Sequence, residues 1–523
     1  MNRRILFSVL LSVVSVSNIF AQTYQPDLNK DGIVNFADFA SMAKNWQKSG
    51  SNLTGDLDGS GKVDEADLMR LAYYWLSEFE WKNPDFNHDG IVNFLDFAVF
   101  ANAWLSNNHN SNWNTDCDFN GDNLVNIIDL NRFAEQWLRQ FPKNVIYADA
   151  GAAAGGDGTS WDNAFIYLQD AIKAASKGCQ IWVAQGVYKP DANSDFPNGT
   201  HLRASTFKLP QGVAIYGGFP AGGRWEHRNP NLCPTTLSGD IGIAGNRNDN
   251  CYNVVVGAND VTLDGLIIAD GNATSTGDKA RGGGMRNEDV NNITVANCTF
   301  SNNHSRYDGG AIYNYKSSIS FINCIFSENR SGDDGAGVYN SNTDANLTDC
   351  SFFDNRSGNR GGGIYNYQSG SELINCLFNG NHADANGGAV YNGYKAVKLI
   401  NCTIAGNSAG KNTGGIYNMY SASVITNCIV WDNGTEIYNH PSSPHILYSD
   451  VKGCGASGAG WDANCGTDDG NNIDSDPCFA DATQGGPCFA DELALKAASP
   501  CINAGKNSAL PLDIKTDING NAR

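Results

Sequence analysis

The chain has 523 residues, enough for more than one domain, and its 35 basic and 55 acidic side chains leave a net charge of −20. That balance argues against nucleic acid or an anionic lipid surface as a partner. Its 58 glycines follow no collagen period and fit a protein full of tight turns, while 15 cysteines would, in an exported chain, ordinarily mark a disulfide framework.

Met1-Asn2-Arg3-Arg4 is followed by an apolar run from Ile5 to Phe20 that ends beside the small residue Ala21. Residues 1–21 are therefore expected to be a signal peptide, and the mature protein secreted, either extracellular or at the cell surface. No cysteine lies beside this segment, which argues against a lipid anchor there. No later stretch reaches the roughly 18 apolar residues of a membrane-spanning helix.

The next stretch repeats one spacing of oxygen-bearing side chains four times. The first copy uses Asp27, Asn29, Asp31, Asn35 and Asp38, with Gly32 at the sixth position. The second uses Asp56, Asp58, Ser60, Asp64 and Asp67, and the third Asp85, Asn87, Asp89, Asn93 and Asp96. The fourth uses Asp118, Asn120, Asp122, Asn126 and Asp129, with Asn123 where glycine is expected. Oxygen ligands at positions 1, 3, 5, 9 and 12 suit a hard cation, so up to four Ca²⁺ ions are expected. Asn tolerates the left-handed conformation, so the fourth loop is weakened rather than lost. A helical stripe follows each loop: Phe39, Met42, Ala43, Trp46; Leu68, Leu71, Ala72, Trp75; Phe97, Phe100, Ala101, Trp104; and Leu130, Phe133, Ala134, Trp137. The tryptophans read as core.

This small all-α, EF-hand-like region resembles dockerin type I repeats, which pair two loop-and-helix units. The resemblance implies one module at 24–80 and a second at 83–141. It also implies a cohesin-like protein partner, contacted through loop positions 10 and 11. Those positions, often Ser-Thr in the family, are Phe36-Ala37, Glu65-Ala66, Phe94-Leu95 and Ile127-Ile128 here. Calcium binding carries over to this chain; cohesin binding of the cellulosomal kind does not.

A second domain, 145–523, opens with a short strand at Val145 to Asp149. A helical spacing follows from Trp161 to Ala175, suited to covering the open end of a stack. Strands are expected at Ile181 to Val183, Ala214 to Phe219 and Val261 to Ile268. From Gly282 to Asn433 one phrase recurs every 26 residues: Cys298, Cys324, Cys350, Cys376, Cys402 and Cys428 keep that interval, as do Asn303, Asn329, Asn355, Asn381, Asn407 and Asn433. Such a period marks a solenoid, and abundant Gly, Asn and β-branched residues favour strands over helices. The expected fold is mainly β, a parallel β-helix of 26-residue coils behind an N-terminal capping helix. Alternation assigns Ile374, Cys376 and Phe378 to the core, with Ile322, Cys324, Phe326 and Ile400, Cys402, Ile404 in the neighbouring coils. The asparagine columns are expected to form amide ladders at turns and on the outer face. Equivalent cysteines about 4.8 Å apart with parallel bond vectors are expected to remain thiols. Cys454 with Cys465, and Cys478 with Cys501, are better placed to pair, and Ser449 should continue the cysteine column.

The phrase Gly-Gly-x-Ile-Tyr-Asn followed by Asn-Cys-x-Phe resembles the repeats of polymorphic outer membrane proteins. More broadly it resembles the right-handed β-helix of the pectate lyase-like superfamily. The tail from Asp476-Pro477 through Ser499-Pro500-Cys501 to Asp517-Ile518-Asn519-Gly520 is similar to the closing segment of exported "choice-of-anchor" β-helix proteins. On that resemblance an anchor would begin where this sequence stops, which leaves the dockerin-like modules as the expected attachment device.

The Arg-x-Pro-x-x-Arg phrase of pectate lyases and the Gly-His-Gly phrase of polygalacturonases are absent. What varies between coils is the segment before each Gly-rich opening. Asp308, Asp333, Asp334, Arg360 and Asp384 sit there, with His304 and His382 nearby. They are either solvated turn residues or the lining of a carbohydrate groove. Three functions follow: a polysaccharide-associated protein that binds glycan, with or without degrading it, a true lyase or hydrolase, or a non-catalytic surface adhesin or structural spacer.

Overall fold

The computed structural model describes residues 28, 36–48, 50, 53–57, 62–64, 67, 86, 94–119, 123–126, 129–130, 133, 144–480 and 493–510. The expected signal peptide lies outside these residues. The chain divides into two compact units, residues 1–143 and 144–523.

In the second unit, strands stack in parallel and in register from coil to coil, forming four sheets of twelve, ten, nine and six strands among the described residues. One coil shows the plan. His304–Ser305 belongs to the six-stranded sheet, Ile312–Tyr315 to the nine-stranded, Ile319–Ile322 to the twelve-stranded and Ile325–Ser327 to the ten-stranded sheet. Each strand pairs with the residue 26 positions on, as Ile312 with Val338 and Phe326 with Phe352. Between sheets the backbone turns through left-handed residues: Gly309, Lys316, Asn323 and Glu328 have φ of 65°, 47°, 51° and 56°. Glycine, asparagine and aspartate enter that conformation most readily, which is why these residues mark the period. At Gly309 the requirement is also steric, since a Cβ would come within 2.5 Å of the Ile312 carbonyl oxygen.

These corners correct one expectation. The left-handed Asn323 and its equivalents break the alternation, so the core takes Phe321, Leu347, Leu373, Leu399 and Ile425 from the strand before the corner. Ile322 is 44% exposed, whereas Ile374 in the same column is buried at 8% but lies outside the main core cluster. After the corner the cysteines and Phe326, Phe352 and Phe378 point inward as expected, the phenylalanine rings stacked at 4.6 and 4.7 Å.

The expected amide ladder on the outer face exists: Asn323 donates to Asn297, and Asn401 to Asn375, each at 2.8 Å. The ladder that begins at Asn303 is instead wholly inside. Asn329 Nδ2 donates to the Phe300 carbonyl and to Asn355 Oδ1, both at 2.9 Å, while its own N–H also donates to Asn355 Oδ1 at 3.2 Å. Every amide is thereby satisfied in a dry interior, where an unmet polar group would cost about 1–3 kcal/mol. A further buried ladder runs through Asn314, Asn340, Asn366 and Asn392. Glu436 ends the Asn303 series by accepting from Asn433 N and Nδ2, and burial raises its carboxyl pKa. Beyond this point equivalent residues are 21 apart, as Asn418 and Asn439.

The six column cysteines are buried thiols, and Cys454 pairs with Cys465. Cys478 and Cys501 are unpaired with each other; Cys501 donates instead to Asp450 Oδ2 at 3.0 Å. Ser449 does continue the cysteine column, accepting from Cys428 N at 3.1 Å. The capping helix is shorter than its spacing predicts, Leu168–Ala174, and buries Leu168, Ala171 and Ile172 over the first coils.

In the first unit, helices occupy Phe36–Ala43 and Phe94–Asn102. Met42 packs with Leu57 and Val63 in one core, and Phe100 with Phe119, Val125 and Phe133 in another. Trp46 and Trp104 are partly buried against these cores, whereas Ala43, Phe97 and Ala101 face solvent, so the buried stripe is narrower than expected. Trp75 and Trp137 lie outside the described residues.

Asn355→Ala removes the acceptor of two Asn329 donors and the Nδ2 donor to Asn381 Oδ1, which keeps only the backbone N–H of residue 355. The expected outcome is a loss of about 3 kcal/mol or more, read as a lower urea midpoint of the β-helix unfolding transition.

Candidate functional site

One coil-to-coil column brings three of the expected carboxylates together. Asp308 and Asp334 occupy the same position in successive coils, and Asp333 precedes Asp334. Carboxylate oxygens of all three lie within 4.8 Å of one another. The segment runs between the six- and nine-stranded sheets and turns inward just before the glycine corner, so Asp308 and Asp334 are only 9% and 8% exposed. Arg281 Nε donates to Asp308 Oδ2 at 2.9 Å, and Asn359 Nδ2 to Asp333 Oδ1 at 2.9 Å. Arg360 approaches Asp334 twice, its backbone N–H at 3.0 Å from Oδ1 and its guanidinium at 4.0 Å from Oδ2. Burial, reinforced by the Asp333 charge, pushes the Asp334 pKa up to about 7. Burial also raises that of Asp308, although Arg281 opposes it.

Beside this cluster stands a feature that sequence reasoning passed over. In strand Ile312–Tyr315 and its equivalents, the aliphatic and asparagine residues face the main core, while the tyrosines lie on the opposite side of the sheet and are themselves buried against one another, Tyr365 at 3% and Tyr391 at 2% exposed. Tyr313, Tyr339, Tyr365, Tyr391, Tyr417 and Tyr438 form a continuous stack with ring centroids 4.9 to 5.2 Å apart. The guanidinium of Arg281 lies over Tyr313 and that of Arg360 over Tyr391, each at 5.5 Å. Burial pushes Tyr313 and Tyr391 up to about 12, so at neutral pH their phenols are neutral. The signal for this ladder is plain once sought, a tyrosine every 26 residues from 313 to 417, and Arg281 stands one period before Tyr307.

Asp384 does not join the cluster. Its phase is that of Arg306 rather than Asp308, and it binds Arg356 at 2.9 Å and His382 at 3.1 Å, exposed beside the six-stranded sheet. His304 and His382 lie in that sheet. A separate cavity of about 990 Å³ at the other end of the stack is lined by Asp432, Glu436, Tyr438 and Lys452. Its acids already have partners: Lys452 holds Asp432, and Asn433 holds Glu436.

In the first unit, the second and fourth loops share one arrangement. Asp67 accepts from Leu57 N at 2.6 Å and Asp64 N at 2.8 Å; Asp129 accepts from Phe119 N at 2.7 Å and Asn126 N at 2.9 Å. Position 12 is thus oriented by the N–H groups of positions 2 and 9 in both. Asn123 adopts φ 64° and donates its N–H to Asp118 Oδ2 at 3.0 Å, so asparagine makes the left-handed turn at the position where glycine was expected. Asp67, Asp96, Asp118 and Asp129 are buried, and Asp56 and Asp64 partly so. Buried carboxylates among oxygen donors fit a hard cation. Asp27, Asn29, Asp31, Asn35, Asp58, Ser60, Asp85, Asn87, Asp89, Asn93, Asn120 and Asp122 lie outside the described residues, as does the side chain of Asp38.

Residues 25–76 and 83–136 match the dockerin type I domain, and residues 238–404 match the right handed beta helix region. The chain joins a dockerin type I region to a right-handed parallel β-helix. Dockerin type I domains bind calcium. The solved structures similar to this chain include the pectate lyase Pel9A, at 12% identity and TM-score 0.40, covering 72% of this chain and 94% of that one. A pectin methylesterase from Aspergillus niger has 12% identity and TM-score 0.29, covering 62% and 94%. PfbA, a surface adhesin of Streptococcus pneumoniae, has 13% and 0.26, covering 58% and 88%. At such identities and scores these likenesses carry no weight on activity. No curated protein sequence matches the chain. No helix of the described residues is long and apolar enough to cross a membrane.

Because the folded-state pKa of Asp334 is raised, its contribution to stability is complete below about pH 4 and is lost as pH rises through about 7, by about 4 kcal/mol at most. Asp334→Asn should flatten that decline and raise the urea midpoint at pH 8 relative to the parent protein; urea titrations at pH 4, 6 and 8 check this.

Proposed function

We propose that this is a secreted calcium-binding modular protein whose β-helix binds polysaccharide at the carboxylate and arginine cluster on the edge of the nine-stranded sheet, with the dockerin modules attaching it to a cohesin-like partner. The observation that carries the reading is the meeting of Asp308, Asp333 and Asp334 with Arg281 and Arg360 beside the stacked tyrosine column. Carboxylates and guanidiniums match sugar hydroxyls. Calcium would be held by Asp56, Asp64, Asp67, Asp96, Asp118, Asn126, Asp129 and the remaining loop positions, organising each module around its ions. Position 11 of the third loop, Leu95, is 63% exposed and lies near Val99, so the partner surface would be apolar rather than hydroxyl-rich.

The raised Asp334 favours a second reading, a glycoside hydrolase. A carboxyl that holds its proton near neutral pH is suited to protonate a glycosidic oxygen, with Asp308 or Asp333 as the second carboxylate.

Incubating the full chain with a panel of polysaccharides, with Ca²⁺ or with chelator, tests both. Retention that falls in Asp333→Ala and Asp334→Ala supports the binding face, and new reducing ends establish a hydrolase. Unsaturated products would replace it with a lyase. Unchanged retention in both variants contradicts the binding face. Chelator is expected to lower the unfolding temperature of the N-terminal unit in the same samples, and indifference to chelator would contradict the calcium assignment.

A further inference from the structure

The corner between the nine- and twelve-stranded sheets is left-handed in every regular coil, and its residues are Asp289, Lys316, Asn342, Gln368, Tyr394 and Tyr420, with φ of 51°, 47°, 50°, 51°, 65° and 50°. Small or flexible polar residues suit such a turn, whereas a bulky aromatic side chain there is disfavoured. Tyr394 and Tyr420 take that conformation without the usual return of burial, being 46% and 53% exposed. Their rings stack on each other at 5.4 Å and 19°. Backbone strain that packing does not require is the kind held at ligand sites.

The pair is not isolated. The edge of Tyr367 meets Tyr394 at 5.2 Å and 73°, and Tyr367 lies parallel to Tyr365 at 6.4 Å. The Tyr365 hydroxyl accepts from Arg360 at 3.5 Å, and Arg360 in turn borders Asp334. Gly393, in register with Tyr367 and Met419, puts no side chain between these rings. A continuous path therefore crosses the outer face of the nine-stranded sheet, from the carboxylate cluster on one edge to the Tyr394–Tyr420 corner on the other.

We infer that Tyr367, Tyr394 and Tyr420 form a stacking platform for the rings of a neutral pyranose polysaccharide whose chain lies across this sheet from Asp334 to Tyr420. The inference rests on the polysaccharide reading above and adds its substrate class and a second contact region. Three rings are far less than the roughly 800 Å² per partner of a stable protein interface, but they match the apolar face of a sugar ring. Charge favours a neutral chain. Arg281 and Arg360 are each held by a carboxylate of the cluster, and Lys395, beside Tyr394, is held by Asp344 at 2.6 Å. A uronate at the cluster would meet Asp333.

The test uses the full chain with Ca²⁺, affinity electrophoresis in xylan, mannan, β-glucan and polygalacturonate, and the variants Tyr394→Asn and Tyr420→Asn singly and together. Asparagine occupies this corner at Asn342, so the variants keep the turn. The inference expects the parent protein to be retarded by a neutral glycan and not by polygalacturonate. It also expects the double variant to lose at least tenfold in affinity while its unfolding temperature stays the same or rises. Retention of the neutral glycan unchanged in the double variant overturns the platform but leaves the polysaccharide reading standing. Retardation by polygalacturonate alone overturns the substrate class, and no retardation of the parent protein by any glycan overturns the polysaccharide reading and the inference together.

Discussion

Everything in the larger unit depends on one requirement, that each coil bring its backbone N–H and C=O groups opposite those of the next. Parallel strands meet it when each coil returns its strands to register, 26 residues on in the regular repeat and 21 between Asn418 and Asn439, and the left-handed corners are what let the regular coil close. Once that register holds, every residue lies beside its equivalent 26 positions on, and side-chain chemistry becomes columnar. Amides stack into bonded ladders, phenylalanines into a core column, tyrosines into an outer stack. The same constraint makes a single polar substitution expensive, because each buried amide serves two neighbours.

Register also decides what the surface can do. Asp308 and Asp334 meet because they are one period apart, and Arg360 continues their column. Asp384 stands only a few residues from that phase, which is enough to place it with Arg356 and His382 beside another sheet. The carboxylate cluster is confined to two coils, whereas the tyrosine stack runs the length of the regular repeat and ends at Tyr438, where the coil shortens.

Much of the architecture was legible in the sequence because the period is written in residues with few alternatives. Glycine at 309, 335 and 361 and asparagine at 323, 375 and 401 announce the corners, and the buried thiols and the Cys454–Cys465 pair follow from spacing and its loss. What was misread came from applying period-2 alternation through a corner. Ile322 looks like a core partner of the following cysteine, yet the left-handed residue between them reverses the face, and the core takes Phe321. The asparagine ladders were legible as ladders but not their depth; only the mutual satisfaction of stacked amides makes the Asn303 column stable within. At the site, the carboxylates were visible as departures from the repeat. The tyrosines were hidden by being part of it, since a regular column reads as structure until the face it points to is known.

On the proposed function, the outer face of the nine-stranded sheet is where this protein holds its polymer. A structure of the full chain with a bound oligosaccharide from whichever glycan it retains tests this most directly. The account predicts sugar rings over that sheet between Asp334 and Tyr420, with hydroxyls at Asp308, Asp333 or Arg360. Sugar bound instead over the twelve-stranded sheet, or in the cavity beside Glu436 and Lys452, would contradict it.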